Sequence, residues 1–144
     1  MSNEERVRIG VVGYSGPYRP IGEVKRERYG TSHLGEYDRL CEYHGGSLDL
    51  SREGVRTVES MLAGIPKDQC LTLCDEVARY VGDALCAVAP GVRWEVVDGV
   101  AQIQLSAKTK WDVALYVEQN IGASNRDFLS EALDEMLLIV KRNR

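Results

Sequence analysis

The sequence is poor in the features that declare membrane residence, secretion, metal binding or catalysis. No apolar run approaches the roughly 20 residues that a membrane-crossing helix needs, so no membrane span is expected. The opening MSNEERVRIG is acidic and polar, where a secretory signal needs a basic start and an oily run. A cytoplasmic protein is therefore expected, with its four cysteines as thiols and not disulfides. Basic residues are not in excess. Eighteen Lys and Arg against 22 Asp and Glu leave a net charge of −4, which argues against broad nucleic-acid or anionic-membrane binding. Only two histidines occur, and neither lies in a catalytic motif. His33, Cys41 and His44, with Cys70 or Cys74, are metal ligands by type, but no zinc-site spacing is matched, so no metal or cofactor is expected. Cys70 and Cys74 stand one helical turn apart and read as small buried hydrophobes.

What is present describes a domain. A length of 144 residues fits one folding unit with its own core, and 44% hydrophobic with 28% charged residues is ordinary for a globular chain. The clearest signal is VRWEVVDGVAQIQL, residues 92-105. Asp98-Gly99 suits a tight hairpin turn, which pairs Val97 with Val100, Val96 with Ala101, Trp94 with Ile103 and Val92 with Leu105. One face then carries Val92, Trp94, Val96, Ala101, Ile103 and Leu105. The other carries Arg93, Glu95, Gln102 and Gln104 and is expected to be wet. A lone hairpin is marginal in water, so helices must cover the oily face.

Helical spacing supplies them. Residues 33-44 read as a helix ended by Gly45-Gly46. Ser51 is a good N-cap for a helix reaching about Ala63, with Val55, Val58, Met61 and Leu62 inward. Asp68 then caps a helix over residues 68-88, striped by Leu71, Cys74, Val77, Ala78, Val81, Ala84 and Leu85. Arg79 and Asp83 face outward or to the flank. Together these make an αα-hairpin. Gly82 inside the second helix costs about 1 kcal/mol relative to Ala, and close approach of the hairpin ribbon is the expected reason. Residues 106-110 read as a polar connector, and residues 111-121 as a helix. A last helix follows, capped by Ser124 or Asn125, with Phe128, Leu129, Ala132, Leu133, Met136, Leu137 and Val140 inward. Its outer Glu131, Asp134 and Glu135 read as a solvated face able to meet a basic partner. Leu138 and Ile139 widen its apolar stripe and are candidate interaction residues for a partner or a homodimer. The expected fold is α+β: a small antiparallel sheet built on the hairpin, packed by an αα-hairpin and two C-terminal helices.

The N-terminal part, residues 1-34, is expected to be irregular apart from one short strand over residues 7-13 that could extend the hairpin. Gly13, Tyr14, Ser15, Gly16 and Arg19 are the candidate ligand-binding residues. A strand followed by glycines can turn backbone N–H groups toward a phosphate, with Arg19, Lys25 and Arg28 nearby. Pro17 and Pro20 stand where a dinucleotide-binding helix would have to begin, and no Gly-Lys-Ser/Thr follows. Tyr18, between the two prolines, is a third candidate interaction residue.

Leu48-Asp49-Leu50-Ser51 before a helix, Tyr80-Val81-Gly82-Asp83 late in the next, and Trp94 in the following strand resemble a family of small bacterial domains of unknown function. At the position of Asp83 such domains more often carry Glu. The resemblance covers residues 48-136 and implies a bacterial α+β accessory domain, with no activity attached. The expected function is that of an accessory or binding protein acting through protein contacts, of the immunity, antitoxin or regulatory kind, and not of an enzyme. The alternative is a small phosphate- or nucleotide-binding domain using residues 10-16.

Overall fold

The computed structural model describes residues 11-13, 19-20, 37-97 and 100-143. The chain runs β1 (Val11–Gly13), β2 (Arg19–Pro20), α1 (Asp38–His44), α2 (Arg52–Ala63), α3 (Lys67–Leu71), α4 (Cys74–Val88), β3 (Arg93–Val97), β4 (Val100–Gln104), β5 (Thr109–Trp111), α5 (Val113–Asn120) and α6 (Phe128–Arg142). This is an α+β fold. The strands form one antiparallel sheet in the order β1-β5-β4-β3-β2.

The hairpin β3–β4 is the centre of that sheet. Its register has Val97 opposite Val100, Val96 opposite Ala101 and Trp94 opposite Ile103, as the turn chemistry predicts. The turn residues Asp98 and Gly99 lie outside the described residues. Val92, Trp94, Ala101, Ile103 and Leu105 are all buried on one face. Helix α4 packs on β3 and α5 on β4, while α6 packs chiefly on α2 and α4. The C-terminal helix thus makes most of its contacts with other helices.

The ribbon acquires neighbours on both edges. Val11–Gly13 does not extend the hairpin directly but pairs with β5, Val11 opposite Trp111. On the far side Arg19–Pro20 pairs with β3. The polar connector expected over residues 106-110 is instead a tight turn leading into β5. The Ser106 hydroxyl accepts from the Thr109 N–H, and Trp111 belongs to the strand, not to the helix that follows. Helix α5 starts at Val113, where the Asp112 side chain accepts from the Leu115 N–H.

Widening the sheet changes its second face. Glu95, expected on a wet face, and Lys110, expected in a polar connector, are both buried. Both now sit on interior strands: Glu95 lies between Gln102 and Pro20, and Lys110 between Gln104 and Val12. Arg93, two residues along the same face, donates to Glu95 Oε1 from Nη2 at 2.8 Å.

The helical termini follow local chemistry. Ser51 Oγ accepts from the Gly54 N–H at 3.0 Å, so α2 begins where predicted. Gly45, at φ 88°, closes α1 by donating to the carbonyls of Cys41 and Glu42. The helix expected over residues 68-88 is broken. Leu73 N–H returns to Cys70 O, and the Thr72 carbonyl accepts from the Arg39 guanidinium, so the chain turns between α3 and α4. Asp68 lies in the first turn of α3, whose N-cap is Pro66.

The residues carrying the family resemblance converge in space. The Tyr80 hydroxyl donates to Asp49 O beside the start of α2. The Trp94 indole lies against Gly82, and its Nε1 donates to Asp83 Oδ1 at 2.9 Å. Arg79, expected to face outward or to the flank, is buried. Its Nε donates to both Asp83 oxygens at 3.0 and 3.1 Å, and its guanidinium lies 5.6 Å from the Trp94 ring centre. Tyr37 OH adds a 3.3 Å bond to Asp83 Oδ2. Aspartate is short enough to answer all three partners from one helical turn.

Candidate functional site

A concave surface lies between α2 and the start of α6. Two cavities adjoin there. The larger, of about 730 Å³, is lined by Arg56, Ser60, Arg126, Glu131 and Asp134 among others; the smaller, of about 340 Å³, reaches Ile65, Lys67 and Gly122. They share Glu59, Ala63 and Arg126 and form one trough along α2.

Its floor is a buried carboxylate. Glu59 falls on the inner face of α2, one turn from Val55 and beside Val58 and Leu62, so helical spacing drives it toward α6. Glu59 Oε2 accepts the backbone N–H groups of Leu129 and Ser130 at 3.1 and 2.9 Å, and Oε1 accepts the Ser130 hydroxyl at 2.6 Å. Those N–H groups belong to the first turn of α6 and have no partner within the helix. The negative charge also meets the positive end of the helix dipole. Neither Ser124 nor Asn125 caps α6 from within the chain before it; Asp127 is the N-cap residue but its side chain makes no capping bond. Asn125 instead accepts from the Asp127 N–H and donates to Glu131 Oε1 at 2.8 Å, shaping the wall of the trough.

Helix α5 fixes the same helix end from the other side. The Tyr116 hydroxyl donates to Phe128 O at 2.7 Å, and its ring packs on Trp111 and Phe128. Burial, with Glu131 and Glu59 nearby, pushes the Tyr116 hydroxyl up to about 12, so it stays a neutral donor. Gly122, at φ 75°, lets the Lys67 side chain lie across the loop. A Cβ there would sit 2.8 Å from Lys67 Cγ.

The trough presents a divided set of charges. Asp134 is paired with Arg52 at 2.6 Å, Glu131 accepts from Asn125, and Glu59 is consumed by α6. Among the described residues, the side chains of Arg56, Lys67 and Arg126 form no hydrogen bond or ion pair.

Of the residues singled out in the sequence, Gly13 lies in β1 opposite Thr109 and Arg19 in β2 opposite Val96, on opposite edges of the sheet. Tyr14, Ser15, Gly16 and Tyr18 lie outside the described residues, as do His33, Lys25 and Arg28. Leu138 is 49% exposed on α6, while Ile139 is partly buried against the core. Cys41 is half-buried and His44 exposed on α1. Among the described residues no group of three His, Cys, Asp or Glu side chains could hold a metal ion. Cys70 is buried, with its thiol toward the carbonyls of Leu62 and Ile65, and burial raises the Cys74 thiol to about 11. No helix among the described residues is long and apolar enough to cross a membrane.

Sequence reasoning missed Glu59, Arg56, Arg126 and Ser130. A signal existed for Glu59 alone: an acidic residue on the stripe formed by Val55, Val58 and Leu62. No protein-family model, curated protein or solved structure matches this chain.

Proposed function

We propose that the protein is an accessory or binding protein that works through contacts with another protein, and that the α2–α6 trough is its contact surface. The observation that carries this is the state of Glu59. It is the one buried carboxylate lining the trough, and both of its oxygens are committed to α6. A general base must have an oxygen within reach of a substrate proton. What faces outward is a polar wall of arginine, lysine, serine and acidic side chains, which suits recognition. A bacterial immunity, antitoxin or regulatory partner would use such a surface.

A photo-crosslinking residue placed at Ser60 should capture one defined protein in extract of the source cells. The same residue at Lys108, in the β4–β5 turn, should not. Filling the trough by Ser60→Trp should abolish co-purification of that protein. Equal capture from both positions, or co-purification untouched by Ser60→Trp, would sink the proposal.

A further inference from the structure

We infer that the trough takes an extended acidic segment of its protein partner, held by the guanidiniums of Arg56 and Arg126 and the ammonium of Lys67. This rests on the binding reading above and adds the chemistry of what is bound.

The argument is one of committed and uncommitted charge. Acidic side chains line the trough in number, and two are already answered within the chain, Glu59 by three donors of α6 and Asp134 by Arg52, while Glu131 takes one bond from the neutral Asn125 amide and keeps its charge. Asp127 alone among them makes no side-chain bond with the described residues. The three cations make none either, and they are spread along the trough, with Arg56 in the larger cavity, Lys67 in the smaller and Arg126 in both. A carboxylate brought to any of them gains a charge-assisted bond without displacing one already made.

Shape selects an extended ligand. Arg56, Glu59, Ser60 and Ala63 follow one face of α2, so the trough runs about 10 Å along the helix before reaching Lys67. An extended peptide covers that distance in roughly three to four residues, and a single compact anion would meet only one or two of the cations. The remaining negative charge decides against nucleic acid. Asp127 and Glu131 line the same cavity as Arg56 and Arg126 and would repel a continuous phosphate backbone, whereas a peptide can space its carboxylates to avoid them. The net charge of −4 acts in the same direction.

Isotope-labelled full-length protein would be titrated with four probes: a capped peptide of repeating Glu-Ser, its Lys-Ser and Gln-Ser counterparts, and an oligothymidylate. The Glu-Ser peptide should shift the amide resonances of Arg56, Ser60, Ala63, Lys67 and Arg126, and its affinity should fall as salt is added. Arg126→Glu should weaken that binding by about tenfold or more and leave the circular dichroism unchanged. Absence of these shifts, equal binding of the Lys-Ser or Gln-Ser peptide at these residues, or preference for the oligothymidylate would each overturn the inference. The two readings fail separately. If Ser60→Trp abolishes partner capture but Arg56→Glu and Arg126→Glu do not weaken it, the contact surface stands and its acidic ligand falls. If Ser60→Trp leaves capture intact, the contact surface itself is wrong.

Discussion

A methyl group at Gly82 would occupy space that the Trp94 indole fills: a Cβ built there lies 2.6 Å from Cη2 and nearer still to Cζ2. Helix propensity alone favours Gly82→Ala by about 1 kcal/mol, but overpacking a rigid ring against a helix backbone costs about 1–3 kcal/mol. The indole cannot simply withdraw, because its Nε1 is bonded to Asp83 and its ring faces Arg79. Gly82→Ala should therefore lower the unfolding free energy by roughly 1–2 kcal/mol, read as a reduced urea midpoint. Combined with Trp94→Leu the two losses should add to less than their sum, because the smaller side chain relieves the clash. An additive pair would contradict the contact. This junction was legible in the sequence, since an interior helical glycine next to a predicted strand asks for a reason. The inward turn of Arg79 and Asp83 was not. Their charge marked them for solvent, and the bonds from the indole N–H and the Tyr37 hydroxyl to Asp83, which helical spacing does not show, help make burial acceptable.

Helix α6 is positioned at its N-terminus by groups from two other helices, Glu59 of α2 and Tyr116 of α5. Glu59→Ala would leave the N–H groups of Leu129 and Ser130 and the Ser130 hydroxyl without their acceptor in a buried place. Each unsatisfied buried donor costs about 1–3 kcal/mol where water cannot enter. The open trough beside Glu59 admits some, so a loss of roughly 2–4 kcal/mol is expected. Glu59→Gln retains one oxygen and should lose less. Hydrogen exchange provides the specific check: the amides of Leu129 and Ser130 should exchange faster in Glu59→Ala than amides of β4. A uniform change across the protein would place the effect elsewhere. The elements themselves were legible where termination chemistry is local, as at Ser51 and Gly45. They were illegible where a distant group decided the outcome. The break between α3 and α4 contains neither glycine nor proline, and the Thr72 carbonyl it frees accepts from Arg39 of α1. Strand β5 is short and polar in sequence and is a strand because β4 and β1 flank it. The trough was illegible for the same reason, since it exists only where α2 meets α6.

At the scale of the whole molecule, one thiol and two hydroxyls held in or against the core, those of Cys74, Tyr80 and Tyr116, point toward alkaline instability. Burial is the leading cause in each case. It raises the Cys74 thiol from 9.0 to about 11, the Tyr116 hydroxyl from 10.0 to about 12, and the Tyr80 hydroxyl further still. Nearby charge adds to it: Glu118 and Asp75 at Cys74, Glu131 and Glu59 at Tyr116, and Asp49 at Tyr80. These groups are neutral when protonated, and the folded state holds their protons more tightly than the unfolded state does. The linked stability is complete below the unfolded values, near pH 9 for the thiol and pH 10 for the hydroxyls. It drains away as pH climbs through the folded values. Tyr116 alone accounts for about 3 kcal/mol above both of its values, as an upper bound, at about 1.4 kcal/mol per unit. Unfolding free energies measured by urea titration should be level from neutral pH to about 9 with respect to these groups and fall steeply toward pH 12. Tyr116→Phe should start from a lower plateau, having lost the bond to Phe128 O, and then fall less steeply. Parallel curves for the two proteins would show that Tyr116 ionises freely in the folded state. They would also remove the neutral hydroxyl as the anchor that, with Glu59, holds the start of α6 against the trough.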